Sequence, residues 1–340
     1  MAKSQATKAS NSLILNFLAA GERFFFASVS ARPLAILRIA IGLMMLQEAV
    51  FIYPSLDDLY GPLGFLQASV MGALGTQTAP NYAWFFQNVG VPYATVLQLI
   101  YFARIFALGT FIVGFKTRTS TVFLLATQIF FVYSGEMSSY GVDRYFHLLL
   151  FILIWMPVGQ TFSVDAYLKR RQTGQHSEKL GDLPSSMCAL NLRTLQIAIL
   201  ITYIDAGISK SMGTHWWTGE AIWRVLNMPE FQHGNFTWLA RVPALAQFLT
   251  VGTMALEGFY FIGVWLPYLG FAWILAIIGM HLGIAFAMGL LNFGLTMALV
   301  NVAIFLYPRL QVLQATPRIQ PKSQSHEDAA HSKTRQTQPA

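Results

Sequence analysis

Between Pro33 and Tyr307 the chain returns repeatedly to runs of about 20 mostly apolar residues, the length an α-helix needs to cross a bilayer core. Such runs are helical because a segment in hydrocarbon must satisfy its own backbone polar groups. Apolar residues make up 55% of the 340 and charged residues 11%, too few charges to solvate a globular surface of that size. Prolines, glycines and charges mark off eight runs, at 33–53, 92–115, 119–134, 145–159, 192–210, 244–266, 268–290 and 292–307. The fourth is short unless it starts at Val142. The expected fold is an all-α integral membrane protein, a bundle of about eight transmembrane helices with two aromatic extracytoplasmic loops, 54–91 and 211–243.

Lys and Arg outnumber Asp and Glu by 22 to 15, a balance that in a soluble chain would suggest nucleic acid. Here the excess follows the connections and acts as a topology signal. Lys116, Arg118, Lys169, Arg170, Arg171 and Lys179 fall in the expected inner segments, whereas the outer ones hold Arg144, Arg224 and Arg241. Both termini are therefore expected in the cytoplasm and the protein in the cytoplasmic membrane of a bacterium, with the lipid bilayer and no nucleic acid as partner. Residues 1–32 form a cytoplasmic N-terminal segment. Glu22 and Arg23 break its apolar stretch, which argues against a cleaved signal peptide, and Leu13, Ile14, Phe17, Leu18, Phe24 and Phe25 suit a helix lying on the membrane surface. Residues 33–307 form the membrane domain. Residues 308–340, rich in Gln, Ser, His and Pro, are expected to be a disordered cytoplasmic tail. The single cysteine, Cys188, excludes an intrachain disulfide and a CxxC redox or zinc site.

Ionisable residues inside the spans need a reason, because each costs roughly 2.5 to 3.5 kcal/mol to insert. On the expected topology Glu48, Glu136, Asp143, His147, Asp205, Lys210, Glu257 and His281 all lie between mid-membrane and the outer face. They are expected to line one outward polar cavity. The competing reading is a set of separate buried pairs that fix helix packing, for instance Arg104 with Asp205 or Glu257. In the fifth run, Tyr203, Gly207 and Lys210 recur at spacings of four and three and share a face, and Gly207 allows close backbone approach. Asp205 lies about 140° round from Lys210, so it is a better partner for another helix than for that lysine. A half-desolvated lysine can serve as a general base, or it can simply snorkel to the interface. His281 has small residues two positions away on each side and suits either a ligand contact or a helix-to-helix hydrogen bond. Trp216 and Trp217 belong to an interfacial aromatic belt, and one of them is placed to roof the cavity. No HxxxH or HExxH spacing is present, so no metal is expected, and no Walker loop, GxSxG or kinase motif occurs.

The run Tyr203-x-x-Ala206-Gly207-x-x-Lys210 followed by Trp216-Trp217-x-Gly219-x-Ala221 resembles the signature of the HTTM (horizontally transferred transmembrane) family, proteins similar to the membrane domain of vitamin K-dependent gamma-glutamyl carboxylase. The opening Pro33-Leu-Ala-Ile-Leu-Arg38-Ile-Ala-Ile-Gly42, Asp143-Arg-Tyr145, Pro157-x-Gly159-x-x-Phe162-Ser163-x-Asp165, and Glu257 with His281 extend the resemblance over residues 33–307. It implies that Lys210 is the base that deprotonates a membrane quinol, with Tyr203 on the same face. It also implies that Asp143 stands where the carboxylases have a histidine. Gly207, Trp216, Trp217, Glu257, His281 and His147 would line the substrate or cofactor site. Only about 30 residues follow the last span, so the domain with which carboxylases hold a protein substrate is expected to be absent. Two functions follow as expectations. One is a quinol- or lipid-linked enzyme acting on a lipid-phase small molecule; the other is a non-catalytic membrane partner for the maturation or export of a secreted peptide. A transporter is less favoured, because broken helices are not evident.

Overall fold

The computed structural model describes residues 2–65, 82–135, 139–173, 184–231 and 233–315. Helices dominate: α1 Ala2–Phe26, α2 Arg32–Ile52, α3 Tyr93–Val113, α4 Thr117–Ser134, α5 Gly141–Ile154, α6 Val164–Gln172, α7 Ser186–Ser211, α8 Pro243–Gly258, α9 Leu269–Ala287, α10 Leu291–Asn301 and α11 Tyr307–Ala315. Among the described residues the one extended pairing is an isolated antiparallel bridge, Val29 with Ser185.

Among the described residues, five helical stretches are long and apolar enough to cross a membrane: Arg32–Tyr60, Tyr93–Val113, Ser186–Ser211, Leu269–Ala287 and Leu291–Gln314. The other three expected runs are helical but shorter or more polar. The 14 residues of α5 and the 16 of α8 rise about 21 and 24 Å at 1.5 Å per residue, against a hydrocarbon core of about 30 Å. Helix α4 opens on Thr117-Arg118-Thr119-Ser120-Thr121 and buries Gln128. The tail expected to be disordered from residue 308 is helical as far as Ala315, and residues 316–340 lie outside the described ones.

The helices pack as a ring of neighbours. Helices α2 to α5 follow one another as antiparallel pairs, α7 to α10 do the same, and α10 lies against both α2 and α5 and joins the two halves. Leu34, Leu37, Ile41, Leu97, Phe111 and Leu149 are fully buried in the shared core. Phe51, Leu99, Phe106, Ile201, Phe248 and Phe286 are each more than half exposed on helix outer faces. An apolar surface that extensive needs lipid or another protein against it.

One end of the bundle is closed by the stretch from Pro157 to Asp165. Fully buried Arg38 of α2 donates to three backbone carbonyls, Val158 at 2.7 Å, Phe162 at 2.5 Å and Ile112 at 3.3 Å. The Asp165 carboxylate accepts from the Lys116 and Thr117 backbone N–H groups, each at 2.8 Å, and from the Thr117 hydroxyl at 2.6 Å, capping α4. Burial pushes the Asp165 carboxyl up, but the Thr117 and Lys116 hydrogen bonds and the Arg38 charge outweigh it, and it sits below the usual carboxylate range. Gly114, at φ 73°, ends α3 where a Cβ would strike Ser163 and Arg38. The motif Pro157-x-Gly159-x-x-Phe162-Ser163-x-Asp165 is therefore accounted for by packing. The opposite end carries the loops rich in aromatic residues.

Candidate functional sites

The sequence suggested one polar cavity. The structure has two polar centres instead, set on either side of the start of α10.

The first is built on α7. Tyr203 and Gly207 are buried and the Lys210 side chain is 22% exposed, so the expected shared face exists and runs from core to boundary. A Cβ on Gly207 would stand 2.5 Å from the Gly258 Cα, so that only glycine lets α7 and α8 approach so closely. That approach sets Lys210 beside Glu257 of α8, with Nζ 2.5 Å from Oε2. The Trp216 ring lies 5.4 Å from Nζ, while Trp217 is 61% exposed and donates to the Ser211 carbonyl. Of the two tryptophans, Trp216 is the one set against the Lys210 ammonium.

Deeper in the bundle, the Tyr203 hydroxyl is 2.7 Å from His281 Nε2 on α9. The same hydroxyl accepts from Asn301 Nδ2 of α10 at 2.7 Å, and Asn301 Oδ1 accepts from the Tyr260 hydroxyl at 2.8 Å. Either partner of the Tyr203–His281 bond can donate, according to the imidazole tautomer. The His281 Nδ1 is buried without a hydrogen bond among the described residues. Asn301 and Tyr260 were not singled out in the sequence. A lone asparagine in an apolar run was the available signal, and its register is set by the π-helical turn Val302–Leu306, whose Ile304 carbonyl accepts from Gln196.

The second centre is a cavity of about 280 Å³ between α2, α3, α4 and α5. Glu48, Arg104, Gln128 and Asp143 form its polar wall, and Tyr60, Tyr101, Phe131 and Tyr140 add aromatic rings. Gln128 donates to Asp143 Oδ1 at 3.1 Å, and Asp143 Oδ2 accepts from the Tyr140 backbone N–H at 3.0 Å, which caps α5. Arg104 Nη2 stands 3.6 Å from Glu48 Oε2, and its guanidinium lies over the Phe131 ring at 5.4 Å. Asp143, expected beside Lys210, belongs here. His147, one turn further along α5, has a buried Nε2 without a hydrogen bond. At the start of α10, Asn292 lines this cavity while the neighbouring Phe293 ring packs on His281 and Tyr145 at 5.8 and 5.9 Å, keeping the centres apart.

Two pairings differ from expectation. Arg104 pairs with Glu48 and not with Asp205 or Glu257, because α3 packs against α2. Asp205, expected to hold a neighbouring helix, is exposed and has no hydrogen bond or ion pair with the described residues. It lies on the α7 face that turns away from the bundle, in line with exposed Ile201 and Ile208. Glu136 lies outside the described residues. Among those described, no three His, Cys, Asp or Glu side chains gather as a metal site would require. Compared with protein-family models, with curated proteins and with solved structures, the chain gives no significant match.

Proposed function

We propose that this is a multi-pass membrane protein with the architecture of the HTTM and vitamin K carboxylase-like proteins, crossing a bacterial cytoplasmic membrane eight times with both termini inside. In this reading the Lys210 centre is the reactive site of a quinol- or lipid-linked enzyme. The observation that carries it is convergence: Tyr203, Lys210, Glu257 and His281, singled out separately along the chain, form one hydrogen-bonded pair and one ion pair along one face of α7. Lys210 is the only one of the four that reaches the edge of the bundle.

The donor chemistry suits a phenolic or quinol hydroxyl. The Lys210 ammonium passes a proton to Glu257 across their 2.5 Å contact, and the freed amine takes the proton of the substrate hydroxyl. Trp216 covers the lysine and limits its access to water, and the Tyr203–His281–Asn301 network holds α7, α9 and α10 in register behind it. A membrane quinol would supply the redox chemistry; these residues bind and deprotonate it. Native mass spectrometry of protein extracted from its own membrane tests this. A prenyl-quinone retained by the unaltered chain and lost in Lys210→Ala is expected, and equal quinone content in both would remove the reading.

The exposed Trp217, Met228 and Trp238 of the aromatic loops favour one alternative, a docking surface for a secreted peptide in a non-catalytic maturation or export partner. Loss of function on changing those three, with Lys210→Ala silent, would select it.

A further inference from the structure

The cavity beside Arg104 is not used by the Lys210 chemistry, and its wall is chemically unbalanced. Arg104 is 4% exposed and Gln128 1%, yet Arg104 Nη1 and Gln128 Oε1 have no hydrogen-bond partner among the described residues. Glu48 Oε2 has none either, because its 3.6 Å separation from Arg104 exceeds hydrogen-bonding distance. Both Asp143 oxygens are already engaged. Counting only the atoms wholly shielded from solvent, the wall therefore offers one unused donor and two unused acceptors among the described residues, and buried polar atoms are rarely left in that state.

We propose that this cavity binds the primary carboxamide group of a small amphipathic molecule. A primary carboxamide supplies the complement, one carbonyl acceptor for Arg104 Nη1 and two N–H donors for Glu48 and Gln128. A carboxylate would match the guanidinium but bring negative charge against Glu48 and Asp143. An ammonium would be repelled by Arg104 and leave Nη1 unmatched. An alcohol has a single donor for two acceptors. The apolar body of the ligand lies against Phe51, Ile52, Leu59 and Tyr101, which make up part of the remaining wall. Pockets for small ligands combine such an apolar lining with a few convergent polar groups.

The test uses the full-length protein in lipid nanodiscs and ligand-observed NMR titration with benzamide, N-methylbenzamide, N,N-dimethylbenzamide, benzoate and benzylamine. Benzamide is expected to bind more tightly than either charged probe, and each N-methyl group to weaken binding about tenfold as a donor is lost. Gln128→Met keeps the side-chain length but removes the Oε1 acceptor together with the Nε2–H that donates to Asp143 Oδ1. It is expected to weaken benzamide about tenfold and to shrink the penalty of the first methyl group, which separates lost hydrogen bonding from added bulk. Lys210→Ala is expected to leave benzamide binding unchanged. Equal affinity across the three amides, tighter binding of benzoate or benzylamine, or no benzamide binding at millimolar concentration would overturn the proposal; the last result would mean that water alone satisfies the wall.

Discussion

Among the described residues two arginines are buried in the bundle, one near each end, and their surroundings differ. Arg38 spends its guanidinium on three backbone carbonyls of the Pro157–Asp165 end, with Asp165 close by, and only Nε is left over. Arg104 has a carboxylate at 3.6 Å, a phenyl ring at 5.4 Å and an unpartnered Nη1 beside a cavity. A buried guanidinium held at both Nη atoms fixes the chain, whereas one held loosely has capacity for something else. The Lys210 centre is intermediate, with a tight ion pair open to the boundary backed by a packed hydrogen-bond network.

The comparison predicts a ranking of mutational effects, read as thermal unfolding in detergent. Arg38→Met is expected to be the most damaging, at about 3 kcal/mol or more, since each buried carbonyl left unpaired costs about 1 to 3 kcal/mol. A loss under about 1 kcal/mol would break the assignment of Arg38 as scaffold. Lys210→Met leaves a buried carboxylate without its partner and is expected to cost about 2 to 3 kcal/mol, moderated by the exposure of the lysine. Adding Glu257→Leu should recover most of that cost, and a double variant no better than the single would show that the pair is not coupled. Tyr203→Phe strips one acceptor and one donor from the His281 and Asn301 network and is expected to cost about 1 to 2 kcal/mol.

The Asp165 carboxyl should give stability a mild acid dependence. Its pKa is lower in the folded chain than in the unfolded one. Its contribution is therefore present above the ordinary carboxylate pKa of about 4 and is lost as pH falls through the folded value. Asp165→Asn should flatten that limb, and an unchanged acid limb would remove the carboxylate cap from the account. The smallest effect on stability is expected for Arg104→Met combined with Glu48→Leu. Replacing a poorly engaged buried pair by apolar groups is neutral or stabilising, so the unfolding temperature should hold while benzamide binding disappears.

Much of the bundle was legible because its signals are local. Proline at the start of α2, Pro92 before α3, the Gly289 turn and the apolar run lengths marked where helices begin and end. The face shared by Tyr203, Gly207 and Lys210 followed from helical spacing alone. What the face meets depends on tertiary packing. Nothing local says that Glu48 rather than Asp205 reaches Arg104, or that Phe293 divides the expected cavity into two centres. Asn301 escaped notice because it is a single amide in an apolar run, turned toward Tyr203 just before a π-helical turn that spacing rules do not foresee. The number of spans was the weaker reading, since α5 and α8 are short for a straight crossing.

The contrast between the two arginines can be measured at the guanidinium groups themselves, by NMR of the full-length protein in nanodiscs with ¹⁵N-arginine. Arg38, held by carbonyls on both Nη atoms, is expected to show slow rotation about its Cζ–Nη bonds and distinct Nη resonances. Arg104 is expected to rotate freely until benzamide is added, and then to become as restricted as Arg38. Equal restriction of both arginines before any ligand is added would contradict the account, because Arg104 would then be as much a part of the scaffold as Arg38.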